Sequence, residues 1–391
     1  MLHRVDGDLY MEQVSLTEIA EQHGTPTYIY SETAIRSAYE AFDSAFATHP
    51  HTVCYAVKAC SNISILQLLA ELGAGFDIVS GGELTRVLRA GGEARRVVFS
   101  GVGKQNWEIE YALTSGIGCL NIESASELQR VASIAAAKQL RAPVSVRVNP
   151  DVDPKTHPYI ATGLKENKFG VSATEALAMY QQAAKDPWLD IVGIDCHIGS
   201  QITELEPFLD ALRKLLELCD ELESQGIEIN HLDLGGGLGV RYRDEEPLDT
   251  ESFAAAITQS MSGRPQSLLF EPGRIIVANA GLLLTRVNTL KSNEDRNFAV
   301  IDAAMNDLIR PALYGAWQEV TPVHEHDQDR KSWDIVGPVC ETGDFLAKDR
   351  EICLEENDLL AILSAGAYGF VMSSNYNSRG RAAEILVTGS E

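Results

Sequence analysis

Between about residues 50 and 275, short apolar runs rich in β-branched residues alternate with longer stretches whose apolar residues return every three or four positions. Each short run stops at a polar or glycine residue. The runs are VCYAV ending at Lys58, FDIV near Asp77, VVFS at Ser100, CLNIE at Glu123, VSVRV near Arg147, IVGIDCH at His197, HLDLG at Gly235 and SLLFE at Glu271. Between them, ISILQLLAEL, SELQRVASIAAAKQL and FLDALRKLLELCDELES carry the periodicity of amphipathic helices. Eight successive βα units with no reversal predict an α/β fold built on a closed (β/α)8 barrel; an open, doubly wound sheet is the competing arrangement. In such a barrel the active site forms at the C-terminal strand ends, where Lys58, Asp77, Arg147, His197, Gly235 and Glu271 fall.

After Arg274 the texture changes to strand-like alternation without long helices, in LLLTRVNTLK, FAVID, WDIVGP, EICLE, LLAILSAG and AEILV. TPTYIY at 25–30 is a further strand candidate ahead of the barrel. The pattern predicts a barrel over 31–275 and a mostly antiparallel β-domain, barrel or sandwich, formed by 276–391 with the N-terminal strand of 1–30. The polar stretch VHEHDQDRKS, 323–332, predicts a solvated hairpin loop, with its histidines not metal ligands. The stretch from Pro150 to Phe169 is too long for an ordinary βα loop and is expected to border the site.

Charge narrows the function. Asp and Glu number 56 against 32 Lys and Arg, for a formal net charge of −24. That excess repels phosphate backbones and anionic membranes, so no nucleic-acid or membrane partner is expected. The N-terminus lacks an apolar signal core and no segment reaches the ~18 apolar residues of a membrane span, which predicts a cytoplasmic protein. Seven cysteines without a CxxC pair predict reduced core residues rather than a disulfide framework or zinc site. Cys340, in the polar stretch GPVCETGD, is the exception.

Lys58 follows the apolar run Val53 to Val57. A lysine desolvated at a strand mouth loses preference for its charged form and can attack a carbonyl to make a Schiff base; one that snorkels into water does neither. Gly235, Gly236 and Gly237 after the seventh strand, and Pro272 and Gly273 after the eighth, occupy the loops where barrels often hold a phosphate, although a triple glycine also makes a plain tight turn. A dinucleotide fingerprint fits less well, because position 240 is Val240. A phosphate site opposite such a lysine suits pyridoxal 5′-phosphate. Glu271 can then face the pyridine nitrogen, His197 can lie on the ring, and Ser200 can reach the phosphate.

The ordered set YAVKA, FDIVSGGE, RVNP, HIGSQ, LGGGLG, EPGR, IRPALYG, GPVCETGD and YNSR resembles the barrel-type pyridoxal-phosphate decarboxylases over nearly the whole chain, and within them the branch acting on diaminopimelate. Gly380 stands where that family commonly has proline, and Thr342 where it commonly has serine. The resemblance implies that Lys58 carries the cofactor, with Asp77 among its contacts, His197 on the ring and Glu271 at its nitrogen. It also implies Gly235, Gly236, Gly237, Ser200, Gly273 and Arg274 around the phosphate, and Tyr368 touching cofactor and substrate. Cys340 would be the acid that protonates the α-carbon. Arg274, Arg310 and Tyr314 would hold the distal carboxylate of meso-diaminopimelate, and Glu341 its distal ammonium. A homodimer with shared sites, one subunit lending Cys340 to its neighbour, is part of the same implication. Ornithine and arginine need no distal cation, so Arg310 favours the narrower substrate; pairing of Arg310 with Asp302 or Asp307 is the plain alternative. The rival functions are a decarboxylase of another basic amino acid, a racemase of the same architecture, and a non-catalytic carrier of the cofactor.

Overall fold

The computed structural model describes residues 1–153, 167–326 and 329–390, and the chain divides into two compact units. The first comprises Tyr39–Gly239 and Glu246–Gly273; the second comprises Met1–Ala38, Val240–Glu245 and Arg274–Glu391.

The first unit is a closed barrel of eight parallel strands, β1 His51–Ala56, β2 Gly75–Ile78, β3 Val97–Phe99, β4 Cys119–Ile122, β5 Ala142–Arg147, β6 Leu189–Asp195, β7 His231–Asp233 and β8 Ser267–Phe270. Phe270 of β8 lies opposite Val53 of β1, which closes the ring. All eight apolar runs form their strands. The open sheet is excluded because β8 and β1 bond to each other rather than ending as free edges.

Helices begin at the strand ends for a local reason. In Ser80–Glu83, Ser124–Glu127 and Ser172–Glu175 the serine accepts the glutamate's own backbone N–H, satisfying a donor that the first helical turn cannot use. Glu83 and Glu127 reach back to the N–H groups of Val79 and Glu123, so each helix start is tied to the strand before it. The helix Glu206–Ser224 turns Leu212, Leu215, Cys219 and Leu222 fully inward. Each such leucine contributes about 1.5–3 kcal/mol by burial, and truncating one to alanine costs about 2–5 kcal/mol. Phe46 and Phe270 pack with ring centroids 4.2 Å apart, and Phe253 links them to Phe208 of that helix. Gly193, beside a register shift between β5 and β6, admits no side chain: a Cβ there would lie 2.2 Å from the His231 ring.

In the second unit the long strand Gly281–Ser292 pairs antiparallel with Leu359–Ile362, Asn297–Ile301 and the N-terminal strand Thr27–Ser31. Ala383–Val387 lies parallel to Thr27–Ser31, so both chain ends enter one β-structure, as the alternation predicts. Asn297–Ile301 and Lys331–Val336 also run parallel, which makes the domain mostly, not wholly, antiparallel. One strand expectation is corrected. EICLE is not itself a strand: the strand is Phe345–Ile352, FLAKDREI, whose exposed Lys348 and Asp349 hide its apolar period. The small antiparallel sheet of Leu2–Val5, Asp8–Met11 and Val14–Ser15 was not foreseen, because its strands are too short to show a period. His324 and His326 face the carboxylates of Asp8 and Asp358 at 2.8 and 3.0 Å. Residues 327 and 328 of the expected hairpin loop, and 154–166 of the long segment after the fifth strand, lie outside the described residues. Among the described residues no helix is long and apolar enough to cross a membrane.

Candidate functional site

β1 ends at Ala56 and passes into the 3-10 turn Val57–Ala59, which carries Lys58 beyond the C-terminal end of the strand. Its Nζ donates to Asp77 Oδ2 at 2.5 Å, and Asp77, on β2, is fully buried. A carboxylate in that position holds the ammonium at one point and strengthens its hydrogen bond.

Deeper in the same mouth, β6, β7 and the residue after β8 bring Asp195, Asp233 and Glu271 together. One oxygen from each lies within 4.8 Å of the others, and all three residues are buried. Burial first, and then neighbouring negative charge, pushes the Asp195 and Glu271 carboxyls well above the usual range, and burial likewise pushes Asp233 up to about 7. Arg147 on β5 lies 2.9 Å from Glu123 and 4.0 Å from Asp195. The other oxygen of Glu123 accepts from the Gly170 N–H at 2.7 Å.

The three glycines form the adjoining rim. The Gly235 N–H donates to Asp233 Oδ1 at 2.8 Å, and the Gly236 N–H donates to His197 Nδ1 at 3.2 Å. Gly235 and Gly237 have φ of 64° and 113°, and a Cβ on Gly236 would lie 2.1 Å from the Glu271 carbonyl oxygen. This rim therefore accepts only glycine. Gly273 answers to packing as well: a Cβ there would meet those of Ala59 and Ala56 at 2.9 and 3.0 Å. His197 follows β6 with a half-buried ring. Because its Nδ1 accepts a hydrogen bond, the ring proton sits on Nε2. Burial, with Arg147 and Lys58 nearby, holds its pKa well below the ordinary imidazole range, so the ring is neutral. Ser200 stands half-buried two residues before Ile202, which bonds into the glycine loop through the Gly237 carbonyl. A lysine on a buried carboxylate, a glycine-only rim, a neutral imidazole and a buried acid together match the donor set a phosphorylated pyridine aldehyde needs.

In the second unit Arg274, Arg310, Tyr242, Tyr314 and Tyr368 cluster. Arg274 donates to the Tyr242 hydroxyl at 2.7 Å and lies 4.8 Å from the Tyr368 ring centroid. Tyr368 adopts φ of 56°, a conformation that bulky residues seldom occupy. Arg310 is 6 % exposed, stacks 4.3 Å over Tyr242 and donates to Gln318 at 3.3 Å. It forms no ion pair among the described residues. Burial, and the like charge of Arg274, draw its pKa down, while the nearby tyrosines oppose that. The alternative partners are taken: Asp302 accepts from Thr25, Thr285 and the Arg286 N–H, and Asp307 accepts from the Ala304 N–H and Asn306.

Cys340 and Glu341 are exposed on the loop after Lys331–Val336. The Cys340 N–H donates at 3.0 Å to Oδ1 of Asn377, itself at φ of 53°. Sequence reasoning quoted YNSR without seeing that its asparagine fixes the cysteine loop. It also passed over Tyr242, Asp195 and Asp233; the available signal was an aspartate inside an otherwise apolar strand run, in IVGID and HLDLG.

The family model for the pyridoxal-dependent decarboxylases, pyridoxal binding domain, matches residues 32–278. Diaminopimelate decarboxylase of Pseudomonas aeruginosa is 60% identical over 386 residues, covering 99% of this chain and 93% of the relative. That of Vibrio cholerae is 55% identical over 390 residues, covering 100% and 94%. Among solved structures, diaminopimelate decarboxylase from Helicobacter pylori complexed with L-lysine superposes with a TM-score of 0.92 at 43% identity, covering 95% of this chain and 94% of that one. On this fold, this donor set and these relatives, the chain belongs to the pyridoxal-dependent decarboxylases, in the diaminopimelate decarboxylase family.

Proposed function

We propose that the protein decarboxylates meso-diaminopimelate at one α-carbon, breaking the bond to the carboxylate and replacing it with a proton, to give L-lysine and CO₂. The observation that carries the substrate choice is Arg310, a buried guanidinium with no carboxylate partner among the described residues. A charge so placed is costly unless an anion joins it, and a distal carboxylate is that anion.

Bound pyridoxal 5′-phosphate supplies an aldehyde for the substrate's α-amine and a cationic ring that takes up the electrons left by CO₂. Lys58 holds the cofactor and is steadied by Asp77. Glu271 faces the ring nitrogen, and neutral His197 presents its face without adding a competing charge. Gly235, Gly236, Gly237, Ser200, Gly273 and Arg274 hold the phosphate, with Tyr368 beside them. Arg310 and Tyr314, with Arg274, orient the distal carboxylate, and Glu341 takes the distal ammonium. The Cys340 thiol delivers the proton to the α-carbon. Two copies of the chain share each site, with Cys340 and Glu341 coming from the neighbour. The test is product analysis: meso-diaminopimelate should yield equal CO₂ and L-lysine, while epimerisation without CO₂, or faster turnover of ornithine, overturns the assignment. An inert but cofactor-loaded protein would favour the carrier.

A further inference from the structure

Asp233 is the most connected of the three buried acids, and the proposed chemistry gives it no task. Its backbone carbonyl accepts from the Cys196 N–H at 2.9 Å, one residue before His197. Its Oδ1 accepts from the Gly235 N–H at 2.8 Å, at the start of the glycine rim. Its Oδ2 is buried with no neutral donor among the described residues, and one of its oxygens lies within 4.8 Å of oxygens of Glu271 and Asp195. The Glu271 N–H in turn donates to the Gly235 carbonyl at 2.7 Å. One side chain thus touches the rim and faces the acid, while its backbone holds the residue before His197.

The charges around it fix what Oδ2 can be. Asp77 and Lys58 face it from the ends of β2 and β1, where they pair with each other, and Arg147 on β5 is shared by Glu123 and Asp195. The thiols of Cys54, Cys119 and Cys196 are buried and pushed up, so they remain protonated and add no charge. Among the described residues no cation is left for both Asp233 and Glu271. Carboxylate oxygens within 4.8 Å of one another in a buried site repel strongly; Asp195 has Arg147 at 4.0 Å, and one proton between Asp233 and Glu271 removes the repulsion left between those two and gives Oδ2 its partner.

We propose that Asp233 is a positioning residue that shares a single proton with Glu271: with nothing cationic against Glu271 the proton is divided between the pair, and when a cationic ring nitrogen docks there it resides on Asp233. In that transfer the Glu271 O–H bond breaks, the Asp233 O–H bond forms, and no proton enters or leaves. Glu271 is left as a carboxylate that accepts a hydrogen bond from Asp233 while its charge faces the ring. The inference rests on pyridoxal 5′-phosphate binding and is independent of which amino acid is the substrate.

Infrared difference spectra of the cofactor-free protein test it directly. At neutral pH the wild type should show the C=O stretch of a protonated carboxyl, lost as pH rises, and Asp233→Asn should remove a component of that absorption which Asp195→Asn leaves in place. Asn can keep both contacts, donating through its amide nitrogen, so Asp233→Asn should bind the cofactor within about threefold of wild type. Asp233→Ala strands the Gly235 N–H and removes the donor to Glu271, and should weaken cofactor binding about tenfold or more. Absence of the band in the wild type, an absorption in Asp233→Asn unchanged from wild type, or wild-type cofactor affinity in Asp233→Ala would each overturn the proposal. Absence of the wild-type band overturns the proposal even where a variant does not fold. Failure of meso-diaminopimelate turnover with all three results intact would refute only the substrate.

Discussion

Replacing Arg310 with methionine sets stability against activity, and the structure says which way each should move. Methionine keeps an unbranched apolar stem over Tyr242 and removes the charge. What the protein loses is a stacking contact at 4.3 Å and a long hydrogen bond of 3.3 Å to Gln318. These contribute about 0.5–2 and 0.5–1.5 kcal/mol respectively. What it gains is relief from holding a guanidinium away from water with no anion among the described residues, an effective penalty of several kcal/mol. Relief exceeds loss, so the substrate-free variant should melt at or above the wild-type temperature.

Activity should fall in the same variant. A distal carboxylate that loses its buried partner costs about 2–5 kcal/mol in kcat/KM, roughly 30- to 5,000-fold. L-Lysine, which has no distal carboxylate, should lose little further, so the ratio of kcat/KM for meso-diaminopimelate over lysine should collapse by nearly the full factor. The assay is CO₂ release from each substrate alongside calorimetry of the substrate-free protein. A variant that melts much lower and loses both substrates alike would show that Arg310 is a structural residue, and the argument for the distal carboxylate would fail.

Three further outcomes follow from the same geometry. Borohydride reduction of the cofactor-loaded protein and peptide mapping should place the label on Lys58, and a label elsewhere would remove the Lys58–Asp77 pair from the chemistry. His231 is buried and its pKa is lowered to about 4, so the folded state resists the proton that the unfolded chain binds near 6.5. Its contribution is therefore intact above about 6.5 and is lost as pH falls toward 4, amounting to about 3 kcal/mol, and His231→Gln should flatten that stretch of the stability profile in denaturant titrations. Lys58→Ala and Cys340→Ala proteins should each be nearly inactive, yet regain activity when mixed and allowed to exchange subunits, because a mixed dimer concentrates both lesions in one site. A dead mixture with exchange verified by mass spectrometry would assign Cys340 to its own chain.

What was legible in the sequence was whatever repeats or punctuates. The barrel could be read because eight apolar runs each end at a polar residue, and strand closure requires only that such runs recur. The glycine rim was legible for the same reason, three glycines after a strand being an event in itself. FLAKDREI was missed because two exposed charges in mid-strand break the alternation that marks a strand. Asn377 was missed because its role is one hydrogen bond to a residue 37 positions away, and no local pattern records such a contact.

The buried acids belong to a third class, visible in the sequence yet without meaning there. Asp195 and Asp233 sit in apolar strand runs, where a lone aspartate reads as an interruption of the strand rather than as part of it. Only the register of a parallel barrel gives them a purpose. Asp195 lies level with Asp233 across β6 and β7, so the two side chains enter the interior at one height, and Glu271 follows two residues beyond the β8 partner of Asp233. Burying three carboxyls at one level is unfavourable in any fold that leaves them ionised, and an evolving barrel would ordinarily replace them with apolar residues. Their presence here is reasonable where a proton can be held among them and passed only to a neighbour. With one proton between them, Asp233 and Glu271 would carry one negative charge rather than two, and the cost of burying the cluster would fall accordingly.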